Sequence, residues 1–442
     1  MNVRGLVPAV FALHAAAPAQ DRWQRLPEPP IPARYGATMH SVGTHVAVFG
    51  GQDVAAGDAE QRVDGAVFDA RAGTWTRLPD APLGERAGTL VVAVTGGILV
   101  GGGRDRWEKL HSDAFVLDVG EREWRRLPPW PIRPRQQASV AVDGDTVALF
   151  GGHVPTRRRD GGFDVEHFAD GVLVDTRTGE AKAIPKGPLS PRVFAAVALR
   201  SGKFVVAGGH ASTYGGPVRW APDAAVFDVA TGAWTTLDAP PLRPQNSLNL
   251  GGHGDTVFAI GNDSRRAFGF VCDLAKGACV AVPGLDALDL GMECTRVFGG
   301  AQRSLLFNSG MQLHDDAHQA FWLGSGGLAA LSLPADVRPR QAFALTRMAD
   351  DVVLFGGNHD IALGVADGPP PPPKRLAGPE GDGLHFDLAA GTVARIPPGP
   401  LPPRARAALT IADGRLFVLW GQAPGARSAH DLCPDGAAFR LR

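Results

Sequence analysis

The sequence predicts an all-β protein assembled from repeated four-stranded antiparallel units. Three observations carry that expectation. An apolar run closing on a glycine pair recurs: VAVFGG at 46–51, ILVGGG at 98–103, VALFGG at 147–152, FVVAGG at 204–209 and VVLFGG at 352–357. Weaker copies, VFAIGN at 257–262, LLFNSG at 305–310 and LFVLWG at 416–421, fill the gaps. The spacing is roughly 50 residues, a period that marks a repeat architecture. Glycine (57) and proline (37) are abundant among the 442 residues, which calls for many turns and therefore many short strands. Finally, every copy sits in the same order of segments.

Within a unit, an arginine in a proline-rich link precedes the first apolar strand. The second strand is the run that ends on the glycines. A loop of variable length leads to a third strand that begins at an aspartate: DGAVFD (64–69), DAFVLD (113–118), DGVLVD (170–175), DAAVFD (223–228) and DGLHFD (382–387). After a short turn comes a fourth strand, often with tryptophan and Leu-Pro: WTRLP (75–79), WRRLP (124–128) and WTTL (234–237). Four short apolar strands bounded by turn residues read as an antiparallel meander.

By this set of Gly-Gly, Asp, Trp and Arg signals the chain resembles the kelch-repeat family over residues 22–442. The resemblance implies a β-propeller, in which radial blades leave only short, protected edges. Elementary packing agrees, because one four-stranded sheet cannot bury both faces alone and must stack on neighbours. Trp75, Trp124 and Trp234 are of a size to fill the space between blades. Glycines suit places of close backbone approach or positive φ.

Eight glycine-pair positions predict eight blades, or seven if one of the degenerate units 243–290 and 291–337 is not a true blade. The last unit, from Arg404, ends in DGAAFRLR and lacks a Trp strand, while WQRLP at 23–27 supplies one. The ring is therefore expected to close by pairing this N-terminal strand with the C-terminal three. An arginine lies 17 residues before the second glycine in six units: Arg34, Arg86, Arg135, Arg192, Arg340 and Arg404. Gln245 and Glu293 take that place in the two degenerate units.

Residues 1–19 read as a bacterial secretory signal: Arg4, an apolar Leu6 to Leu13, and Ala17-Pro18-Ala19 as a small-x-small cleavage pattern. A single propeller domain would then occupy 20–442, exported to the periplasm or beyond. Of four cysteines, Cys272 and Cys279 flank a hairpin turn, where they take the places of Phe227 and Trp234 of the preceding unit. A Cys272–Cys279 disulfide is expected there; the alternative is a pair of free buried thiols. Cys294 and Cys433 have no assigned pairing.

Two rings of residues are expected around one mouth of the channel. The first is the arginine ring with Gln245 and Glu293. The second follows the glycines: Gln52, Arg104, His153, His210, Asp263, Met311, Asn358 and Gln422, with His359 beside Asn358. Arg86, Arg135, Arg192, Arg340, Arg404, His153, His210 and Asn358 are candidate ligand-binding residues, since guanidinium forks grip carboxylates bidentately. Glu293, facing arginines, is the weak catalytic candidate. The competing reading is that the arginines belong to the repeat and brace loop carbonyls. Long loops at 153–169, 210–222 and 358–381 carry Arg157, Arg158, Arg159, Phe163, Tyr214 and Trp220. The run Pro369 to Pro373 suits a polyproline II spacer.

Several functions are argued against. A net charge of −1 speaks against nucleic acid or anionic membrane as bulk partner. No stretch is long and apolar enough to span a membrane as a helix. No CxxC, no GxxxxGK[ST] and no GxSxG occurs. His111, His153, His167, His210, His253, His314, His318 and His359 show no ligand spacing, so neither metal nor cofactor is called for. Some kelch-type propellers resemble galactose oxidase, a copper enzyme needing a tyrosine pair and a cysteine cross-link; Tyr35 and Tyr214, the two tyrosines, stand in no matching context. The expectation is an exported, monomeric binding module that recognises a protein or glycan with its loop-rich face. The alternative is an epimerase or mutarotase acting on an acidic sugar in an arginine-lined pocket, as in the kelch-type N-acetylneuraminate epimerases.

Overall fold

The computed structural model describes residues 22–52, 62–84, 86–212, 217–238, 242, 247–262, 266–288, 295–312, 315–324, 326–337, 343–357, 381–423 and 432–442. Their strands form eight four-stranded antiparallel sheets, with two extra two-stranded hairpins rising from the loops. The molecule is an eight-bladed β-propeller. Both degenerate units complete a full blade, which settles the count at eight rather than seven.

The inner strands of blades 1 to 7 are Thr38–Val42, Leu90–Val94, Ser139–Asp143, Ala196–Arg200, Ser247–His253, Thr295–Gly299 and Ala344–Met348. Blade 8 takes Ala408–Ala412, Arg415–Leu419 and Gly436–Arg440 from the end of the chain and its outer strand, Trp23–Arg25, from the beginning. In that pairing Trp23 lies opposite Phe439.

Burial follows position in the blade. Second and third strands, such as His45–Phe49 and Gly65–Asp69, are buried on both faces, whereas the outer Thr74–Leu78 is mostly exposed. The reason is that each sheet is sandwiched between two others. Eight apolar clusters result, each joining one blade to the next. Val46, Val48 and Phe68 of blade 1 pack on Phe417 and Leu419 of blade 8, which makes the ring continuous.

The repeated polar residues have repeated jobs. The indole N–H of Trp75, Trp124, Trp234 and Trp23 donates to the carbonyl of Pro27, Pro79, Pro185 and Pro397, at 2.8, 2.9, 2.9 and 3.1 Å. Each of those prolines follows the outer strand of the preceding blade, so the Trp and the proline of the motif form one clip between blades. The indole also packs on an aromatic ring of that preceding blade: Trp124 on Phe49 at 5.7 Å and Trp234 on Phe150 at 5.6 Å. At the turn after the third strand, Asp69 accepts the amides of Arg71 and Ala72; Asp118, Asp175, Asp228, Asp273 and Asp387 act likewise. In blade 5, Cys272 and Cys279 face each other across the third and fourth strands and are disulfide-bonded.

Among the described residues no helix is long and apolar enough to cross a membrane. The proposed leader at 1–19 lies outside the described residues, as does the proline run at 369–373.

Candidate functional site

Links into the inner strands and loops after the glycines open on one face, because short backbone bridges tie them together. Val193 pairs with His210, Gln136 with His153, Tyr35 with Gln52, Ala87 with Arg104 and Ala405 with Gln422. The second glycine of each pair permits the approach. A Cβ on Gly209 would lie 2.6 Å from the carbonyl oxygen of Val193 and 2.9 Å from the amide of Ala195.

The arginine ring is built differently from a ligand pocket. Arg34, Arg86, Arg135, Arg192 and Arg404 are all buried. Each pairs with the aspartate that opens the third strand of its own blade: Asp64, Asp113, Asp170, Asp223 and Asp435, at 2.5–2.8 Å. Each also donates to the carbonyl of the first residue of the glycine pair: Gly50, Gly102, Gly151, Gly208 and, in blade 8, Trp420. The arginines brace the blade from within and are neutralised there. Burial alone would raise the Asp64 carboxyl, but the bond and charge of Arg34 outweigh it and hold it below the usual carboxylate range. Bonding to Arg86 lowers Asp113 in the same way, against its burial.

The sequence carried a signal for this pairing. The aspartate four residues before the third strand's Phe68, Leu117, Val174, Phe227, Phe386 and Phe439 is present in every unit that has the arginine. Where Gln245 and Glu293 replace arginine, the corresponding positions are Phe268 and His318. Arginine and aspartate are kept or lost together. Gln245, Glu293, Arg340, Asp263, Asn358, His359, Cys294 and Tyr214 lie outside the described residues, so the candidate roles of Glu293, Arg340 and Asn358 are not placed.

His153 and His210 begin the two extra hairpins. On blade 3, His153–Arg157 pairs with Phe163–His167, and on blade 4, His210–Ser212 pairs with Val218–Trp220. The hairpins touch. The amide of Ser212 donates to Nε2 of His167 at 3.4 Å, and within the blade 3 hairpin the His153 and His167 rings lie 5.7 Å apart. His210 stands 5.1 Å from Trp220 and 5.5 Å from Phe194. His153 Nε2 meets the side-chain amide of Gln136 at 2.9 Å. Burial lowers all three histidines below the usual imidazole range; the charge of His167 adds to this at His153, and His210 and Arg219 add to it at His167. Burial therefore disfavours the charged form of each imidazole. Among the described residues no group of three or more His, Cys, Asp or Glu is arranged to hold a metal ion.

Exposed aromatics flank these hairpins. Phe194 is 59% exposed and stands at φ 53°, a left-handed position of the repeat held by Gly36, Gly88, Gln137 and Arg406 in blades 1, 2, 3 and 8. On blade 2, Trp107 is 71% exposed at the tip of the loop after the glycines, under Arg106. Sequence reasoning missed Trp107 and Phe194, because an aromatic in a loop gives no sign of its exposure.

A family model, the KLHDC2/KLHL20/DRC7 Kelch-repeats domain, matches residues 10–152. Eight four-stranded blades, six of which keep the repeated arginine and aspartate, support the same assignment beyond the matched residues. The chain is a kelch-repeat β-propeller. The family match spans the first of these kelch units, and the Arg–Asp brace and the Trp–Pro clip continue beyond it to blade 8. No curated protein matches the kelch chain described here.

Proposed function

We propose that this kelch propeller is a non-catalytic recognition module that binds a protein or glycan partner on the glycine-loop face of blades 2 to 4. One observation carries the reading. Of the five exposed large apolar residues among the described residues, Trp107, Phe194 and Val218 lie on that face, on either side of the blade 3 hairpin. Aromatic residues on a rigid scaffold are the usual anchors of a binding surface. The histidine-lined seam between the hairpins gives the surface a polar centre.

The acidic-sugar enzyme has less support. Its arginine-lined pocket requires free guanidinium groups, and the five described arginines of the ring are spent on aspartates and carbonyls. Export remains part of the proposal. It rests on residues 1–19 and is compatible with the Cys272–Cys279 disulfide, which persists in an oxidising compartment.

The test is a parallel screen of residues 20–442 and a Trp107→Ala, Phe194→Ala double variant against a displayed random-peptide library and an oligosaccharide array. Ligands bound by the parent chain and lost by the double variant support the reading, provided both melt at the same temperature. Ligands retained by the double variant move the surface elsewhere.

A further inference from the structure

The inner strands all start at the glycine-loop face, so their last residues meet at the opposite mouth of the channel. That mouth contains two arginines outside the repeat pattern. Arg200 is the last residue of Ala196–Arg200 in blade 4, and Arg347 is the last but one of Ala344–Met348 in blade 7. Blades 4 and 7 are three places apart in a ring of eight, so these two side chains can sense one another only across the lumen. The lumen is narrow here. Ser41 of blade 1 reaches Met348 of blade 7 at 3.9 Å, past the intervening blade 8.

Unlike the upper arginines, this pair is not neutralised by contact. Arg200 makes no hydrogen bond and no ion pair among the described residues, and its Nε is buried without a partner. Arg347 donates once, from Nε to the carbonyl of Ala349 at 3.2 Å. Asp143 and Asp350 exert a field on Arg200 and Arg347 respectively, but neither comes within ion-pair range. Asp350 instead accepts the amide of Ala301 at 2.6 Å. His253, the last residue of the blade 5 inner strand, completes the group; its Nδ1 bonds Ser304 Oγ at 2.9 Å. Burial, and then the Arg200 charge, lowers both Arg347 and His253. Arg347 keeps exposed surface although the surrounding protein desolvates its guanidinium group.

We propose that the far mouth of the channel binds a small dianionic oxyanion, a phosphate group, between the guanidinium forks of Arg200 and Arg347. Guanidinium presents paired donors that match phosphate oxygens, and a dianion placed between two like charges relieves their repulsion. The low-dielectric walls of the channel strengthen the field at that point. The site lies at the opposite mouth from the aromatic face of blades 2 to 4, so either assignment can fail alone.

The test is calorimetric titration and thermal melting of the full chain with inorganic phosphate, with glycerol phosphate as the ester and chloride at matched ionic strength as the control. The expected result is saturable one-to-one binding that raises the melting temperature with concentration. Arg200→Gln and Arg347→Gln should each weaken it roughly tenfold or more. Both variants should melt no lower than the parent in phosphate-free buffer, because each removes one of two facing positive charges. Glycerol phosphate binding as tightly as inorganic phosphate assigns a phosphomonoester as ligand; binding at least roughly tenfold weaker assigns the free ion. No saturable effect, or one kept by both variants, overturns the proposal.

Discussion

The indole N–H of Trp75 donates to the carbonyl of Pro27 at 2.8 Å, and through it blade 1 holds the one strand of blade 8 that comes from the other end of the chain. Replacing Trp75 by Phe keeps most of the ring packing on Phe68 and removes the donor. The expected loss is about 1 kcal/mol. Trp75→Ala also removes the packing and should lose about 3 kcal/mol. Urea unfolding of the two variants separates the bond from the burial.

Arg404 is fully buried and bonded to Asp435 and to the carbonyl of Trp420. Arg404→Leu leaves that carboxylate only the exposed Arg25, at 3.2 Å, and removes its buried partner, which should destabilise the fold by about 3 kcal/mol. Asp435→Asn in the same background should recover part of the loss. If Arg404 instead served a ligand at the mouth, the leucine variant would keep its stability.

Arg122 adopts φ 59° in the turn after the third strand of blade 2, where Gly73, Gly179, Gly232, Gly277 and Gly391 hold the same place at φ 65–82°. Arg122→Gly should stabilise the protein by about 1 kcal/mol by removing left-handed strain. Thermal melting reads the sign directly.

Blade 5 has a disulfide where its neighbour has Phe227 packed on Trp234. The loop it closes is short, with a sequence separation of 7. Reduction should therefore cost about 2 kcal/mol. Melting with and without a dithiol, compared with a Cys272→Ala, Cys279→Ala variant, tests this; the variant should be insensitive to the reductant.

His40, on the inner strand of blade 1, is lowered by burial to about 4 from 6.5. The unfolded chain therefore binds the proton more readily than the folded one between those two values. Stability attributable to His40 is complete above pH 6.5 and falls as the pH drops toward 4. The largest loss is about 3 kcal/mol. His40→Gln should flatten the stability profile across that window in chemical unfolding followed by fluorescence.

The fold was legible because each repeated residue type answers to one repeated contact. Tryptophan recurs because a proline carbonyl of the preceding blade recurs. The glycine pair recurs because the loop bridge lies so close that Gly209 has no room for a Cβ. The site was less legible. The arginines stood out by their spacing, yet spacing alone does not distinguish a ring that faces a ligand from a brace within each blade. The paired disappearance of arginine and aspartate in blades 5 and 6 distinguishes them, and it is visible only when two positions are followed together. Trp107, Arg200 and Arg347 were not legible, since nothing repeats at them, and Phe194 holds a repeated turn position whose residue type varies from blade to blade. Their interest lies in exposure and in the meeting of distant blades, which three-dimensional structure alone provides.

The seam in blade 8 also imposes a timetable. Trp23 packs on Phe439 and on Phe355 and donates to Pro397, partners that are synthesised hundreds of residues later. Blades 1 to 7 are continuous in sequence and each can form its hairpins as the chain emerges. The first strand must stay unpaired until the last strand exists, and closing so long a loop is slow. During that interval the ring is open, with an unpaired edge exposed on blade 8 and an apolar face bare at each end of the stack, the state most prone to aggregate. A ribosome stalled before residue 436 would hold seven blades, two strands of the eighth and a waiting first strand.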